Sequence, residues 1–379
     1  MNRPQSDGSP PTTPHLLAML AVIPSLDLSG RRTWTLNPVS PWLRVAKQTI
    51  SATFLLLQAR TTSKMTASRS EMAKIRVGTA SWTDPTLINS GRFYPDSARS
   101  AEARLQYYAS QFNIVEVDSS YYALPNERNS YLWAERTPDD FVFNFKVFRI
   151  FTQHPTPLHS LPKNIRAQLS PELQNKANLY YRDLPSKVMD DLWKRFESAL
   201  LPLDSAGKLG VVLFQFPRWF FPRSQQLDYI EMCKAKLRQY RLAMEFRNNV
   251  WLSEKNRAAT FDFLRRNDLP FVCVDEPQGF KSSVPPVAEV TSDMGLIRFH
   301  GRNSDTWEKK GIGPAERFNY LYTEEELRPW AGKIAEISQQ ISEMHVLFNN
   351  CYQDKAVANA RQMSLMLGSS GGRPQVAEE

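Results

Sequence analysis

KLGVVLFQFP at 208–217, RLAMEFRNN at 241–249 and LPFVCVDEP at 269–277 carry the reading that decides the fold. Each holds a short apolar or alternating run, at 209–214, 242–246 and 270–274, and the stretches between them, 224–240 and the one closing at 263–266, have helical patterning. Strand followed by helix, repeated, is the signature of a parallel sheet wrapped by helices. Toward the N-terminus the pattern continues with strands at 75–79, 114–118 and 141–146. A helix over 100–111 is capped by Ser100 and carries Leu105, Tyr108 and Phe112 on one face. A second, capped by Asn126 or Asn129, is stopped near Arg136 by Thr137-Pro138. Toward the C-terminus, Pro277, Pro285 and Pro286 replace a clear helix before a strand at 295–300. Thr323 and Glu326 then form a capping box for a helix reaching about 340, followed by a strand at 345–349 and a closing helix at 354–367. Eight strands with six or seven helices predict an α/β chain folded as a single (β/α)₈ TIM-like barrel over 73–367. A doubly wound pair of domains is the weaker topology, because no Gly-x-Gly-x-x-Gly turn and no central linker occur.

The regularity lapses at 152–188, where Pro155, Pro157, Pro162, Pro171 and Pro185 impose a long, partly helical excursion before a helix at 188–200. An excursion of that length is expected to cover a site or to make a partner contact. Residues 1–72 differ from the rest. They are Pro-rich at the start, and between Asp27 and Glu71 seven cations, Arg31, Arg32, Arg44, Lys47, Arg60, Lys64 and Arg69, meet no acid. This segment is expected to be a disordered extension, either an organellar transit segment or sequence upstream of a working start at Met65 or Met72. A cytoplasmic location is the primary expectation and a mitochondrial one the alternative. Gly368, Gly371 and Gly372 open a flexible tail over 368–379.

The formal charge of +8 invites a nucleic-acid partner, yet residues 1–72 hold 8 Lys/Arg against 3 acids, leaving 39 against 36 for the remainder. The barrel is therefore only mildly basic, which weakens that reading. Three well-separated cysteines, Cys233, Cys273 and Cys351, fit neither a disulfide framework nor a structural zinc site. No run of about 18 apolar residues is present, so integral membrane association is not expected.

Polar residues recur where the strands end. Glu116 and Asp118 close the second strand, Lys146 the third and Gln215 the fourth; Glu245 and Arg247 follow on the fifth, Asp275 on the sixth, Arg298 and His300 on the seventh, and Asn349 and Asn350 on the eighth. In this fold those ends form the cleft. The competing reading is structural: Glu116 with Lys146, or Glu245 with Arg247 or Arg298, would close the barrel as ion pairs, since an unpaired buried charge is too costly.

Several motifs, in order, resemble the YecE-like family, also called domain of unknown function seventy-two. They are VGTASWTD at 77–84, FYP at 93–95, VEVDSSYYALP at 115–125, FNFKVFRIFTQH at 143–154, QFP at 215–217, MEFRN at 244–248, VDEP at 274–277, IRFHGRN at 297–303, FNN at 348–350 and ANAR at 358–361. The resemblance implies a TIM barrel without a firmly assigned activity. Two departures stand out: GTASW replaces the family's usual GTSGW, and Asp118 stands where Asn is common. The RxHG signature is intact as Arg298, His300 and Gly301.

Three functional readings follow. In the first, the chain is a hydrolase or related enzyme acting on a phosphate-containing or nucleic-acid substrate. Lys146, Arg247 and Arg298 hold the anion, while His300 with Glu245 moves a proton. Trp82, Tyr121, Tyr122 and Phe148 stack on a base or sugar, and Asp275 and Asn349 complete the binding set. In the second, Glu116 and Glu245 are paired carboxylates for glycoside chemistry. In the third, the cleft binds an anionic or polyhydroxylated small molecule or nucleic acid without catalysis. A protein-interaction scaffold using FPRWFFPR at 216–223 is a further class, its ordinary counterpart being a loop that folds Trp219 and Phe220 back over the barrel. A divalent metal has suitable donors in His154, His300, Glu116, Asp118, Glu245 and Asp275, but no HExxH or compact ligand cluster supports one.

Overall fold

The computed structural model describes residues 73–368 and, ahead of them, a short antiparallel pairing of Ser25–Leu26 with Arg32–Thr33. The chain divides into two units, Met1–Ser70 and Glu71–Glu379. Apart from that pairing, the readings made for residues 1–72 and for the tail beyond 368 lie outside the described residues.

Eight strands form one parallel sheet: β1 (Lys74–Thr79), β2 (Ile114–Val117), β3 (Val142–Lys146), β4 (Leu209–Phe216), β5 (Leu242–Phe246), β6 (Val272–Asp275), β7 (Met294–Phe299) and β8 (Glu343–Phe348). Their spatial order is β6-β7-β8-β1-β2-β3-β4-β5. The ends of that row meet at one bridge, Met244 with Phe271, where the Met244 N–H donates to the Pro270 carbonyl at 2.8 Å. Pro270 has no N–H with which to extend this ladder toward Leu242. The result is a nearly closed TIM-like barrel whose β5–β6 seam is thin for a chemical reason.

Seven helices flank the sheet: α1 (Ala101–Gln111), α2 (Glu127–Glu135), α3 (Ser186–Ser205), α4 (Ser224–Lys236), α5 (Glu254–Arg266), α6 (Glu324–Ser338) and α7 (Lys355–Met366). Ser100 caps α1 by accepting from Ala103 N–H, Asn126 caps α2, and the capping box of Thr323 and Glu326 opens α6, each at the position its sequence predicts. α3 runs past 200 to include Pro202, which sits in the last turn of the helix. Between β6 and β7 no helix forms. The 152–188 excursion contains a small antiparallel pairing, Thr156–Pro157 with Asn178–Leu179, and short helical turns.

Two local features set the register. A Cβ on Gly78 would lie 2.1 Å from the Ile114 carbonyl oxygen, so β2 can approach β1 only because this residue of GTASW lacks one. The β3–β4 register shifts between Phe143 and Phe145, and Asn144 Oδ1 accepts from Val211 N–H at 3.0 Å. A side chain thereby takes the place of a ladder carbonyl. Outside the sheet the core is strongly aromatic. Phe220 stacks on Phe216 and Phe246 on Trp251, both at 4.0 Å between centroids. Phe220 therefore folds back, as the ordinary reading of 216–223 expects, whereas Trp219 remains 48% exposed. Among the described residues no helix is long and apolar enough to cross a membrane.

Candidate functional site

Because side chains alternate along a strand, Glu116, Glu245 and Arg298 project to the barrel axis while their neighbours Val115, Val117, Met244, Phe246, Ile297 and Phe299 are buried hydrophobic core. All three axial side chains are fully buried. The Arg298 guanidinium stands between the carboxylates, Nη1 donating to Glu245 Oε2 and Nη2 to Glu116 Oε1, each at 2.5 Å. Gln215 Nε2 also donates to Glu245 Oε1 at 2.5 Å, and His300 Nε2 lies 3.0 Å from the same oxygen. Asn349 Nδ2 reaches His300 Nδ1 at 2.9 Å. Five strands thus contribute to one continuous floor.

The protonation states follow from the surroundings. Burial pushes Glu116 up, with Asp118 adding to the effect, against the pull of Arg298 and Lys146. Its Oε2 has no hydrogen-bond partner. Burial also opposes ionisation of Glu245, but Arg298, His300 and Arg247 outweigh it and hold this carboxyl well below the usual range. His300 is driven down to about 3 by burial despite Glu245. A neutral imidazole beside an ionised carboxylate donates from Nε2 to Glu245 and accepts at Nδ1 from Asn349, so both ring nitrogens are engaged.

Above this floor lies a mouth with a different character. Lys146 donates to Asp118 at 2.8 Å and lies 4.7 Å from the centre of the Tyr121 ring. Arg149 sits over the same ring at 5.1 Å and has no carboxylate partner among the described residues. Tyr121 meets Tyr122 at 5.0 Å and His154 at 5.4 Å, and His154 meets Trp219 at 5.7 Å. Arg247 stacks on Trp307 at 4.5 Å, with Nη1 2.9 Å from Glu276 Oε2. Burial raises Glu276 to about 8 against Arg247, so near neutrality the ionised partner of Arg247 is Glu245, whose Oε1 lies 3.4 Å from the same Nη1 and which also serves Arg298. His154 is lowered to about 3, first by burial and then by Lys146, Arg149 and Arg247.

The expected site residues therefore separate into groups. Glu116, Glu245, Arg298, His300 and Asn349 converge on the floor, and Lys146, Arg247, Tyr121 and Tyr122 line the mouth. Trp82 does neither: it is 5% exposed and packs edge-on against Trp133 of α2 at 5.3 Å and near Phe143 at 6.2 Å. Phe148 is likewise buried, against Phe151. Both rings are large apolar surfaces, and burial in the core satisfies them better than a wet rim. Asp275 is consumed by a clamp. Arg302 donates to both its oxygens at 2.8 and 2.7 Å, Tyr322 to Oδ1 at 2.8 Å and Trp330 to Oδ2 at 2.7 Å. Arg149, Glu276 and Trp307 belong to the neighbourhood without having been singled out, whereas Gln215 was expected among the polar strand ends and His154 only as a possible metal donor. Arg149 lies in the quoted FNFKVFRIFTQH motif and Glu276 in VDEP, the signals available for them. Among the described residues no group of three or more His, Cys, Asp or Glu is arranged to hold a metal ion.

A family model described as "Protein of unknown function DUF72" matches residues 76–378. The chain belongs to this family. Among the family's proteins, YunF of Bacillus subtilis, described as a UPF0759 protein, is 32% identical over 297 residues, covering 77% of this chain and 94% of its own. YecE of Escherichia coli K12, another UPF0759 protein, is 29% identical over 252 residues, covering 62% of this chain and 77% of its own. A crystal structure of a DUF72 protein from Thermotoga maritima matches with TM-score 0.60 and 31% identity over 78% of this chain and 99% of that one. One from Enterococcus faecalis matches with TM-score 0.61 and 26% identity over 78% and 95%.

Proposed function

We propose that the barrel mouth is a binding cleft for a small phosphate-bearing molecule, with the aromatic rim accepting its organic part. One observation carries this reading: Arg149 lies over Tyr121 beside Lys146 with no carboxylate partner among the described residues. A guanidinium held by an aromatic face, rather than by an ion pair, keeps its donors available for an incoming anion. Arg247, whose neighbour Glu276 is uncharged below about pH 8 and whose other carboxylate, Glu245, is shared with Arg298, adds a second source of positive potential. Exposed Tyr122 and Trp219 supply stacking surface near this charge. Titration calorimetry with inorganic phosphate and with phenyl phosphate tests the cleft. Arg149→Ala is expected to weaken both at least tenfold, and unchanged affinity would remove the basis of the proposal.

The hydrolase reading adds chemistry to the same cleft, and Glu116 favours it. This is a carboxyl whose proton affinity burial raises, with one oxygen left without a hydrogen-bond partner. The glycoside reading fares less well, since Arg298 occupies the space between Glu116 and Glu245 where a scissile bond would have to lie.

A further inference from the structure

On leaving β3 the chain turns back over the mouth at once. Arg149–Thr152 make a single tight helical turn that Gln153 closes in the left-handed region at φ 61°. A residue other than glycine in that conformation costs about 1 kcal/mol or more and persists only where its surroundings fix it. Here Gln153 N–H donates to the Ile150 carbonyl and His154 N–H to the Arg149 carbonyl, both at 3.1 Å. The turn thereby aims His154. Its Nδ1 meets Thr152 Oγ1 at 2.8 Å, and its ring stands edge-on between Tyr121 and Trp219. Nε2 makes no hydrogen bond among the described residues, and the side chain is only half-buried.

Three cations face this ring. Lys146 faces it from the end of β3, Arg149 from the turn itself and Arg247 from the chain after β5. The nearby titratable groups on the other packed segments are Tyr121, whose hydroxyl burial raises to about 12, and Asp118, which is engaged with Lys146. His300 offers no such opening, with both ring nitrogens occupied.

Resting on the anion-binding reading above, we propose that His154 is the proton-exchanging group of the cleft, taking up one proton when a doubly charged oxyanion enters among Lys146, Arg149 and Arg247. In the empty cleft, burial and three cations keep the imidazole neutral, titrating at about 3. An oxyanion at hydrogen-bond distance from Nε2 offsets those cations and stabilises imidazolium. Raising the ring's titration from about 3 to above 6 requires a gain in proton affinity of about a thousandfold, the upper end of what a nearby opposite charge supplies. The bound state then carries an acid beside the anion, and the empty state a base.

Inorganic sulfate is the probe, because it stays a dianion across the working range and contributes no protons of its own. Calorimetric titration of the full chain at pH 5, in two buffers of different ionisation enthalpy, is expected to show uptake of about one proton per sulfate bound. In His154→Gln the uptake per sulfate is expected to fall to near zero. In parallel, the histidine ring resonance that this substitution removes should titrate below pH 4 in the free protein and above pH 6 at saturating sulfate. Sulfate binding without proton uptake, or a ring titration that sulfate leaves in place, overturns the assignment of His154 while the cleft stands. Failure of both sulfate and phosphate to bind overturns both.

Discussion

At the scale of single residues, the floor and the mouth obey opposite rules. Arg298 is matched by two carboxylates and sealed from solvent, the arrangement in which removing one partner strands a buried charge at a cost of about 3–5 kcal/mol. Glu276 shows the reverse tendency, a carboxyl kept protonated. The unfolded chain releases its proton near 4.5, whereas the folded chain retains it to about 8. Stability from this group is complete below about pH 4.5 and is lost as the pH rises through about 8. Glu276→Gln keeps an acceptor for the Val284 N–H and removes the titration. The variant and the parent should unfold in urea at matching midpoints near pH 4.5. By pH 8.5 the variant should be the more stable by an amount on the order of 1–4 kcal/mol. A difference that stays flat across this window would show that Glu276 titrates normally.

At the scale of elements, much of the architecture is legible in the sequence because strand and helix periods are local. All eight strands fall where short apolar runs place them, displaced by no more than two residues at either end, and the caps at Ser100, Asn126 and Thr323 sit where their side chains can reach an unpaired N–H. Partnership across the chain is not local. Asp275 reads as a cleft residue until Arg302, Tyr322 and Trp330, separated from it by 27, 47 and 55 positions, take all its acceptor capacity. Trp82 reads as a rim aromatic until α2 closes over it. His154 is hidden in a proline-rich stretch whose conformation depends on a left-handed Gln153 that no periodicity announces. Gly78 belongs to this scale too, since its missing Cβ allows β1 and β2 to meet. Gly78→Ala should lower the urea unfolding free energy by about 2 kcal/mol or more, as overpacking against a backbone carbonyl leaves no flexible atom to give way. An unchanged unfolding midpoint would mean that the two strands have slack.

At the scale of the whole barrel, closure is uneven. Six of the eight strand interfaces are extended ladders, while β1 with β2 and β5 with β6 each share a single paired position. Amide exchange read by mass spectrometry should therefore find peptides spanning 242–246 and 271–275 less protected than those of β7 and β8. Equal protection across the barrel would show that side-chain packing, not ladder bonding, sets the opening free energy there. The far end of the barrel is also polar. Arg76 binds Glu343 at 2.7 Å and the Asp140 carbonyl at 2.7 Å, and although burial opposes it, His345 and Arg76 hold Glu343 at about 2.

The Glu116–Arg298–Glu245 brace has a consequence for traffic. It lies across the axis like a bolted hatch, so the tunnel drawn in outline by the strands is no thoroughfare. On the proposed reading, an anion held among the rim cations would have to arrive and depart by the mouth, since the brace closes the axis beneath it.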